Sequence, residues 1–388
     1  MKIIHIIGSL NKAGIQKFIL ELSRTPVLSK YDYQVLCTFL SQDNYKDEYK
    51  NNNFTIHYLP YTYLPTHWFP HRLDKLFRNI FERIYFFRLW LLLIKSDVNI
   101  VHSHIHYHIV SQILATVLSG KRMIWTIHGE YPLSKITIWL VQILDTILSS
   151  KKFQIIADSK PAFLSTLPYL INNIYAKDVI PTGINLNLFT REYDKYLIRR
   201  KYNIKKGEIL FGSTGRIVWQ KGFDQLISLL VKYTFSEKQI RILIAGDGSL
   251  RNKYMEQVRT QNLEEKVTFI GNLNNIPEFL ASLDFYIQPS VTEGFPLSVL
   301  EAMASGLPVI CSDAGGMKDM IQNGENGILY KSNDLNSLYK GISYLLSMSE
   351  NELFELGKNA KKTVQNKYSI NHSAKQYEII YLNHKSLL

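Results

Sequence analysis

The chain is poor in cysteine. Only Cys37 and Cys311 occur in 388 residues, far apart in sequence. That leaves no disulfide framework and no cysteine zinc spacing, and it fits a reducing, cytoplasmic compartment. No Asp-x-Asp triplet occurs, so the common acidic grip for a divalent ion is missing. A Gly-x-Gly-x-x-Gly fingerprint is absent too, which removes the ordinary dinucleotide reading. The apolar run from Leu89 to Ile94 is far shorter than the roughly 20 residues that span a bilayer. The opening Met-Lys-Ile-Ile-His-Ile-Ile has no small-residue cleavage site after it and reads as a buried first strand. Acidic side chains are outnumbered, 33 Asp and Glu against 45 Lys and Arg, a net charge of +12. The first 190 residues carry +8 of that excess and the rest +4. Such an excess suits nucleic acid, an anionic membrane surface or phosphorylated ligands, and charge does not choose among them.

What is present is a globular pattern, 46% hydrophobic and 20% charged. The length is too great for one core and predicts two domains. Short apolar strands alternate with helices, which predicts parallel sheets covered on both faces. Strands are expected near 2–7, 33–38, 54–58, 99–102, 122–127, 153–157 and 177–180. Helices are expected near 14–24, 71–94, 108–119, 135–148 and 159–170. A turn signal at Ile180-Pro181-Thr182-Gly183 and a basic stretch from Arg191 to Lys206 mark the boundary. Beyond it the alternation restarts, with strands near 208–214, 240–245, 266–270, 284–288 and 308–311. The domains are read as 1–185, completed by a C-terminal helix over about 370–388, and 186–369.

One segment carries the chemistry: Asp284-Phe-Tyr-Ile-Gln-Pro289-Ser290-Val-Thr-Glu293-Gly294-Phe295-Pro296-Leu297-Ser-Val-Leu-Glu301, ending in Gly306-Leu307-Pro308-Val309. A strand ends near Gln288, a loop carries Glu293, and Pro296 suits the first turn of a helix. The unpaired N–H groups of that helix start favour a phosphate. Glu301 lies more than a turn further in, so two carboxylates reach one crevice from different depths. Upstream, Gly215-Arg216 and Lys221-Gly222 follow the first strand of this half. Two fixed cations there neutralise a diphosphate leaving group without a metal. Gly246-Asp247-Gly248 forms a turn after the next strand.

This ordered set resembles glycosyltransferase family 4, the retaining enzymes of GT-B fold. The likeness is close over most of 208–330 and loose over the first half. It implies an α/β fold of two Rossmann-like domains facing across a donor/acceptor cleft, with hinge closure near 181–190. It implies that Arg216 and Lys221 hold the donor diphosphate and that Glu301 binds the ribose. Glu293 is then a catalytic residue beside the donor sugar, with Gly294, Phe295, Pro296 and Leu297 around it. Gly14 and Gly246 are further donor-binding candidates. The implied reaction moves a hexose or N-acetylhexosamine from a nucleoside diphosphate sugar, a UDP-sugar, to a glycan or lipid-linked saccharide. It needs no metal and no other cofactor, and it belongs to capsule, exopolysaccharide or cell-wall synthesis.

In the first half, Gly8-Ser-Leu-Asn-Lys-Ala13-Gly14 carries Ala13 where the family often has a glycine pair. Thr126-Ile127-His128-Gly129-Glu130 ends a strand and resembles a family segment whose histidine faces the donor sugar, so His128 is the second catalytic candidate. His102, His104, His106 and His108 alternate and share a strand face. No Asp, Glu or Cys stands beside them in sequence, so the reading is no metal. His104 is the candidate for acceptor contact.

The stretch 68–95 combines an apolar stripe at helical spacing (Leu73, Leu76, Phe77, Ile80, Phe81, Ile84, Phe87 and Leu91) with Arg72, Lys75, Arg78 and Arg83 off it. Trp68, Phe86 and Trp90 also lie off the stripe. A basic, aromatic helix of this kind packs one face on the sheet and can lay the other on anionic lipid. The expected place of the protein is the inner face of the cytoplasmic membrane. Rival readings are a sugar-nucleotide epimerase or phosphorylase of the same fold, a basic nucleic-acid-binding protein, and an idle binding subunit. An epimerase turns over donor without acceptor. The other rivals have no use for the full set Arg216, Lys221, Glu293 and Glu301.

Overall fold

The computed structural model describes the chain except residues 12, 40–44, 61–70, 130–133, 149–151, 167–178, 236–237 and 383–388, and gives no side chains for 71–79. Two compact units emerge, Met1–Thr182 with Ile370–Leu388, and Gly183–Ser369. The change of unit at Thr182 falls in the turn signal, just ahead of the basic stretch.

The first unit runs β1 (Lys2–Ile7), α1 (Gly14–Ser23), β2 (Asp32–Cys37), α2 (Lys46–Asn51), β3 (Thr55–Tyr58), α3 (His71–Lys95), β4 (Ile100–Ser103), α4 (Ile109–Leu118), β5 (Arg122–Ile127), α5 (Lys135–Ile147), β6 (Phe153–Ala157) and α6 (Lys160–Thr166). Its sheet is parallel, in the order β3-β2-β1-β4-β5-β6. The strands are apolar on both faces because helices cover both. Of the strand expected at 177–180, residues 177 and 178 lie outside the described residues, and Val179 bridges to Ala157.

The second unit runs α7 (Lys195–Lys201), β7 (Ile209–Thr214), α8 (Asp224–Lys232), β8 (Ile240–Ala245), α9 (Arg251–Thr260), β9 (Val267–Gly271), α10 (Ile276–Ala281), β10 (Phe285–Gln288), α11 (Leu297–Ala304), β11 (Val309–Ser312), α12 (Met317–Met320), β12 (Ile328–Tyr330), α13 (Leu335–Ser347) and α14 (Glu350–Lys367). Its parallel order is β12-β11-β10-β7-β8-β9. Helix α7 lies inside the stretch read as a polar boundary. Asp194 starts it by accepting from the N–H groups of Tyr196 and Leu197. Edge strand β12 was not anticipated; at three residues it is too short to show a period.

The helical tail breaks at Tyr368-Ser369, and α15 (Ile370–Leu382) returns to the first unit. There Tyr377 packs beside Phe18 of α1, and the Ser373 hydroxyl donates to the Pro181 carbonyl at 2.7 Å. This is the completing helix expected from the sequence.

Both sheets have their order reversal between neighbouring strands, β1 and β4 in the first and β7 and β10 in the second. Loops leaving the carboxyl ends of strands at such a point diverge to opposite faces and leave a crevice. The loops with Gly14 and His104 leave β1 and β4, and those with Arg216, Lys221 and Glu293 leave β7 and β10, while His128 follows β5 and Gly246 follows β8.

Candidate active site

In the second unit the crevice is built by the loops after β7 and β10. The Lys221 ammonium donates to both oxygens of Glu293, at 3.0 and 2.8 Å. Each side chain is 14% exposed, so this pair is shielded and bidentate, unlike an ordinary surface bridge. Of the two cations read from the sequence, only Lys221 is engaged in an ion pair among the described residues. Lys221 is neutralised by Glu293, while Arg216 is exposed and makes no ion pair among the described residues. The reason is the fold. β7 and β10 are hydrogen-bonded neighbours, so loops 72 residues apart in sequence emerge side by side.

Glu293 is fixed from behind as well. The Tyr286 phenol, buried and pushed up in pKa by that burial, keeps its proton and donates to Gln288 Oε1 at 2.9 Å. The Gln288 amide donates to Ser290 Oγ at 2.9 Å, and that hydroxyl donates to Glu293 Oε2 at 2.8 Å. Tyr286 itself accepts from the Thr214 N–H at 3.2 Å, so the relay begins at the end of β7. Every link is buried or half-buried and satisfied, which holds the carboxylate in one place. Ser290 was legible as part of the motif. Tyr286, Gln288 and Thr214 were not singled out. The available signal was polar residues in a strand otherwise buried throughout.

Two glycines show how tightly the loops are stacked. A Cβ on Gly315, at φ +52°, meets the Glu293 carbonyl at 1.8 Å. A Cβ on Gly246, at φ +140°, meets the Gly215 carbonyl at 1.9 Å. Gly246 thus braces the loop that carries Arg216, and the Ile217 N–H donating to the Asp247 carbonyl at 2.9 Å locks the same turn. The Gly316 N–H donates to the Gly294 carbonyl at 2.7 Å and pins the loop from the other side.

Pro296 stands one place earlier than expected, as the residue that caps α11, with φ −75° and ψ 108°. No side chain caps this helix start, so N–H groups at its first turn remain open at the carboxyl end of β10. Phe295 is buried in the core against Tyr368, and Leu297 packs on the same cluster. Glu301 is the fifth residue of α11 and is 7% exposed.

The first unit holds a second constellation. His5 of β1, His104 after β4, His128 after β5 and Asp158 after β6 come from four adjacent strands. His5 Nδ1 lies 2.9 Å from His104 Nε2, and His104 Nδ1 lies 2.9 Å from His128 Nε2. His128 Nδ1 lies 3.1 Å from Asp158 Oδ2. Both ring nitrogens of His104, and both of His128, are therefore bonded inside the unit. His102 faces Tyr381 and Thr126 at 2.9 and 2.7 Å. Burial pushes the His5 imidazole down to about 3. Burial, with repulsion from neighbouring rings, holds His102 and His104 well below the usual histidine range.

The four-histidine strand face does not form as expected, because β4 ends at Ser103. His108 caps α4 in the left-handed region and pairs with Glu82 of α3. So carboxylates do stand beside these histidines, brought in from α3 and β6. The three whose nitrogens gather within 4.8 Å are His5, His102 and His104, the one trio among the described residues with metal-ligand proximity. Sequence reasoning passed over His5 and Asp158. Their only signal was a polar residue within β1 and an acid one step past β6.

Helix α1 begins at Gly14 directly above β1, with no side-chain cap. Ala13 is extended at φ −142°, a conformation open to any residue, so the missing glycine costs the backbone nothing. Glu130 lies outside the described residues, as do Trp68 and the side chains of Arg72, Lys75 and Arg78.

Helix α3 shows which of its faces packs. Tyr85, Leu89 and Leu93 are its buried side, and Ile80, Ile84, Phe87, Leu91 and Ile94 are exposed at 42–55%. The stripe through Ile80, Ile84, Phe87 and Leu91 faces outward over this span, and Phe86 and Trp90, off that stripe, pack against the core. The helix is apolar nearly all round here, so period alone does not choose a face. Exposed Arg83 and Arg88 flank the outward stripe. No helix among the described residues is long and apolar enough to cross a membrane.

Two doubly wound units, each a parallel six-stranded sheet covered by helices, are the architecture of the GT-B glycosyltransferases. The group described as glycosyl transferases group 1 matches residues 194–363, and glycosyltransferase family 4 matches residues 13–188. The chain belongs to the family 4 glycosyltransferases. It is 26% identical over 305 residues to an Escherichia coli UDP-Gal:alpha-D-GlcNAc-diphosphoundecaprenol alpha-1,3-galactosyltransferase, covering 76% of this chain and 78% of the relative. It is 26% identical over 290 residues to the O-antigen biosynthesis glycosyltransferase WclY of Escherichia coli, covering 75% and 77%. In fold it is similar to HepE of Anabaena, solved with UDP, at TM-score 0.80 and 17% identity over 99% of this chain and 100% of that one.

Proposed function

We propose that this glycosyltransferase moves a hexose or N-acetylhexosamine from a UDP-sugar to a lipid-linked saccharide, with retention at the anomeric carbon and without a metal. The observation that carries the reading is the shielded Lys221–Glu293 pair in the loops after β7 and β10, with Arg216, which makes no ion pair among the described residues, on the same loop as Lys221. Cations in these loops and the uncapped start of α11 after β10 are the groups that suit the charge of a diphosphate leaving group. Glu293 has both oxygens engaged, by Lys221 and Ser290, which holds it in place beside the cation. That suits a front-face reaction in which the leaving phosphate takes the acceptor proton. The donor base is supported by the UDP bound in HepE, and the acceptor by the diphosphoundecaprenol substrate in the relative's name.

Glu301 is the ribose-binding residue in this reading. Glu301→Ala should weaken UDP-sugar binding by about 10-fold or more, the cost of hydrogen bonds to a charged group, with kcat little changed. Calorimetric titration and initial rates separate the two. Unchanged affinity and turnover in this variant and in Glu293→Ala would remove the donor-site assignment.

The acceptor reading places the first unit on anionic lipid at the inner face of the cytoplasmic membrane. It is supported by the exposed stripe of α3, flanked by Arg83 and Arg88, and by exposed Ile136, Trp139 and Ile147 on α5. Sedimentation with vesicles containing phosphatidylglycerol should show binding that fades with salt. Phe87→Ser with Leu91→Ser should abolish it, and replacing Arg72, Lys75, Arg78 and Arg83 by glutamine should weaken it. Equal sedimentation with neutral vesicles at all salt concentrations would defeat the electrostatic part.

A further inference from the structure

The second unit holds an open groove of about 1000 Å³ that the donor site does not use. Its lining runs from α7 to the first turn of α14, all within Gly183–Ser369. Ile209 and Phe285 open β7 and β10, and Pro308 directly precedes β11, so the groove lies at the amino edge of the sheet. Lys221 and Glu293 stand beyond the carboxyl ends of β7 and β10. The length of β7, at about 3.3 Å per residue, puts roughly 20 Å of strand between the two places. Parallel α/β sheets bind their substrates at the carboxyl edge, so a groove here is a separate feature.

Among the described lining residues are the cations Lys195, Arg199, Arg200, Lys205, Lys206 and Lys238, against the acids Glu208, Asp284 and Glu350. Two of the acids are already engaged. Asp284 accepts from Lys195 at 2.8 Å and from Arg199 at 2.6 Å. Glu208 accepts from the Lys205 N–H at 2.7 Å and faces Arg241 at 4.0 Å. Arg200, Lys205, Lys206 and Lys238 are exposed and make no ion pair among the described residues. The floor is aliphatic. Leu283, Leu307 and Leu345 are buried, Leu346, Met348 and Leu353 are half-buried, and Phe354 stands on the rim, 68% exposed. No Ser, Thr, Asn, Gln or His occurs among the described lining residues. Sugars and bases are selected by neutral donors and acceptors set into a pocket. This groove offers side chains of charge and hydrocarbon instead.

We propose that this groove binds an anionic membrane lipid, its phosphate held by Arg200, Lys205 and Lys206 and its alkyl chain laid along Leu346, Met348, Leu353 and Phe354. The phosphate gains charge-assisted hydrogen bonds there, and the chain covers apolar surface that water otherwise touches. The occupant is a lipid and not a second copy of this chain, because a net charge of +12 opposes the approach of two such surfaces. The outward stripe of α3 belongs to the first unit and is a different surface. The site does not depend on the reading of the donor crevice.

Dihexanoyl phosphatidic acid is a soluble probe, and its calorimetric titration into the full chain tests the site. The expected result is saturable binding about 10-fold tighter than that of inorganic phosphate, which lacks the chains, or of dihexanoyl phosphatidylcholine, which lacks the net charge. Arg200→Gln with Lys205→Gln and Lys206→Gln should weaken it about 10-fold or more. Phe354→Ser should weaken it about 3-fold. These side chains are all exposed, so the thermal melt should not move. Phe87→Ser with Leu91→Ser should leave this binding unchanged. Equal affinity for either control, or no loss in both groove variants, overturns the proposal. Loss in the Phe87, Leu91 variant alone also overturns it, by moving the lipid to α3. Binding of an acidic leucine-rich peptide without binding of the lipid overturns it in favour of a protein partner. Transferase turnover is no part of the readout, so failure of the donor reading and failure of this site are told apart.

Discussion

Lys221→Met is expected to lower kcat about 10²–10³-fold, the usual cost of removing one preorganised charge at a leaving group. The proposed donor phosphates lose a cation, and Glu293 is left with an uncompensated charge in a site where it is only 14% exposed. Glu293→Gln is expected to lower kcat by a similar factor while freeing Lys221. Because the two side chains share a bidentate contact, their effects should not multiply. The double variant Lys221→Met with Glu293→Gln should lie within a few-fold of the worse single one. Release of UDP from the best donor measures this, with a thermal melt to separate folding from chemistry. Multiplied losses would mean that the two residues act independently, and the pair would then be incidental.

Acid should destabilise the first unit with unusual steepness. His5, His102 and His104 have folded-state pKa values depressed by burial, His5 to about 3. The unfolded chain has them near 6.5. Above that value both states are neutral at these sites and pH has no leverage. As pH falls below 6.5 the unfolded state binds protons that the folded state refuses, so stability falls and goes on falling toward the folded values. Three such groups give a slope of about 4 kcal/mol per pH unit, which rivals the whole stability of a typical domain, about 5–15 kcal/mol. Urea unfolding at pH 8, 6.5 and 5.5 should show a flat upper range and a steep drop over the last step. Substituting His5, His102 and His104 with glutamine together should flatten the drop, whatever it costs at pH 8. A native profile level down to pH 5 would show that the rings accept protons in place.

Much of this molecule was legible in the order of its residues. The strand–helix alternation appears as a local period, and β1 to β11 fall within a residue of where that period puts them, β12 being the exception. The donor segment was legible for a related reason: Ser290, Glu293 and the start of α11 lie within one loop and one helix turn, so spacing alone brings them near each other. The polar relay behind Glu293 was less visible. Tyr286 and Gln288 sit in a strand whose every residue is buried, and only pairing with β7 gives the tyrosine its partner at Thr214.

The rest was decided by tertiary structure, for physical reasons that sequence spacing does not contain. Lys221 reads as a cation with no named partner until β7 and β10 are hydrogen-bonded together and Glu293 arrives from 72 residues away. His5 and His104 are 99 residues apart and meet because β1 and β4 are adjacent in register. The outward face of α3 follows from which of its apolar sides the sheet takes, and a helix apolar all round offers more than one. Sequence by itself determined most of the elements and the fold class they build, because those depend on neighbours along the chain. Which charges pair, which histidines meet and which helix face stays bare depend on strand order, and only the folded sheet supplies that.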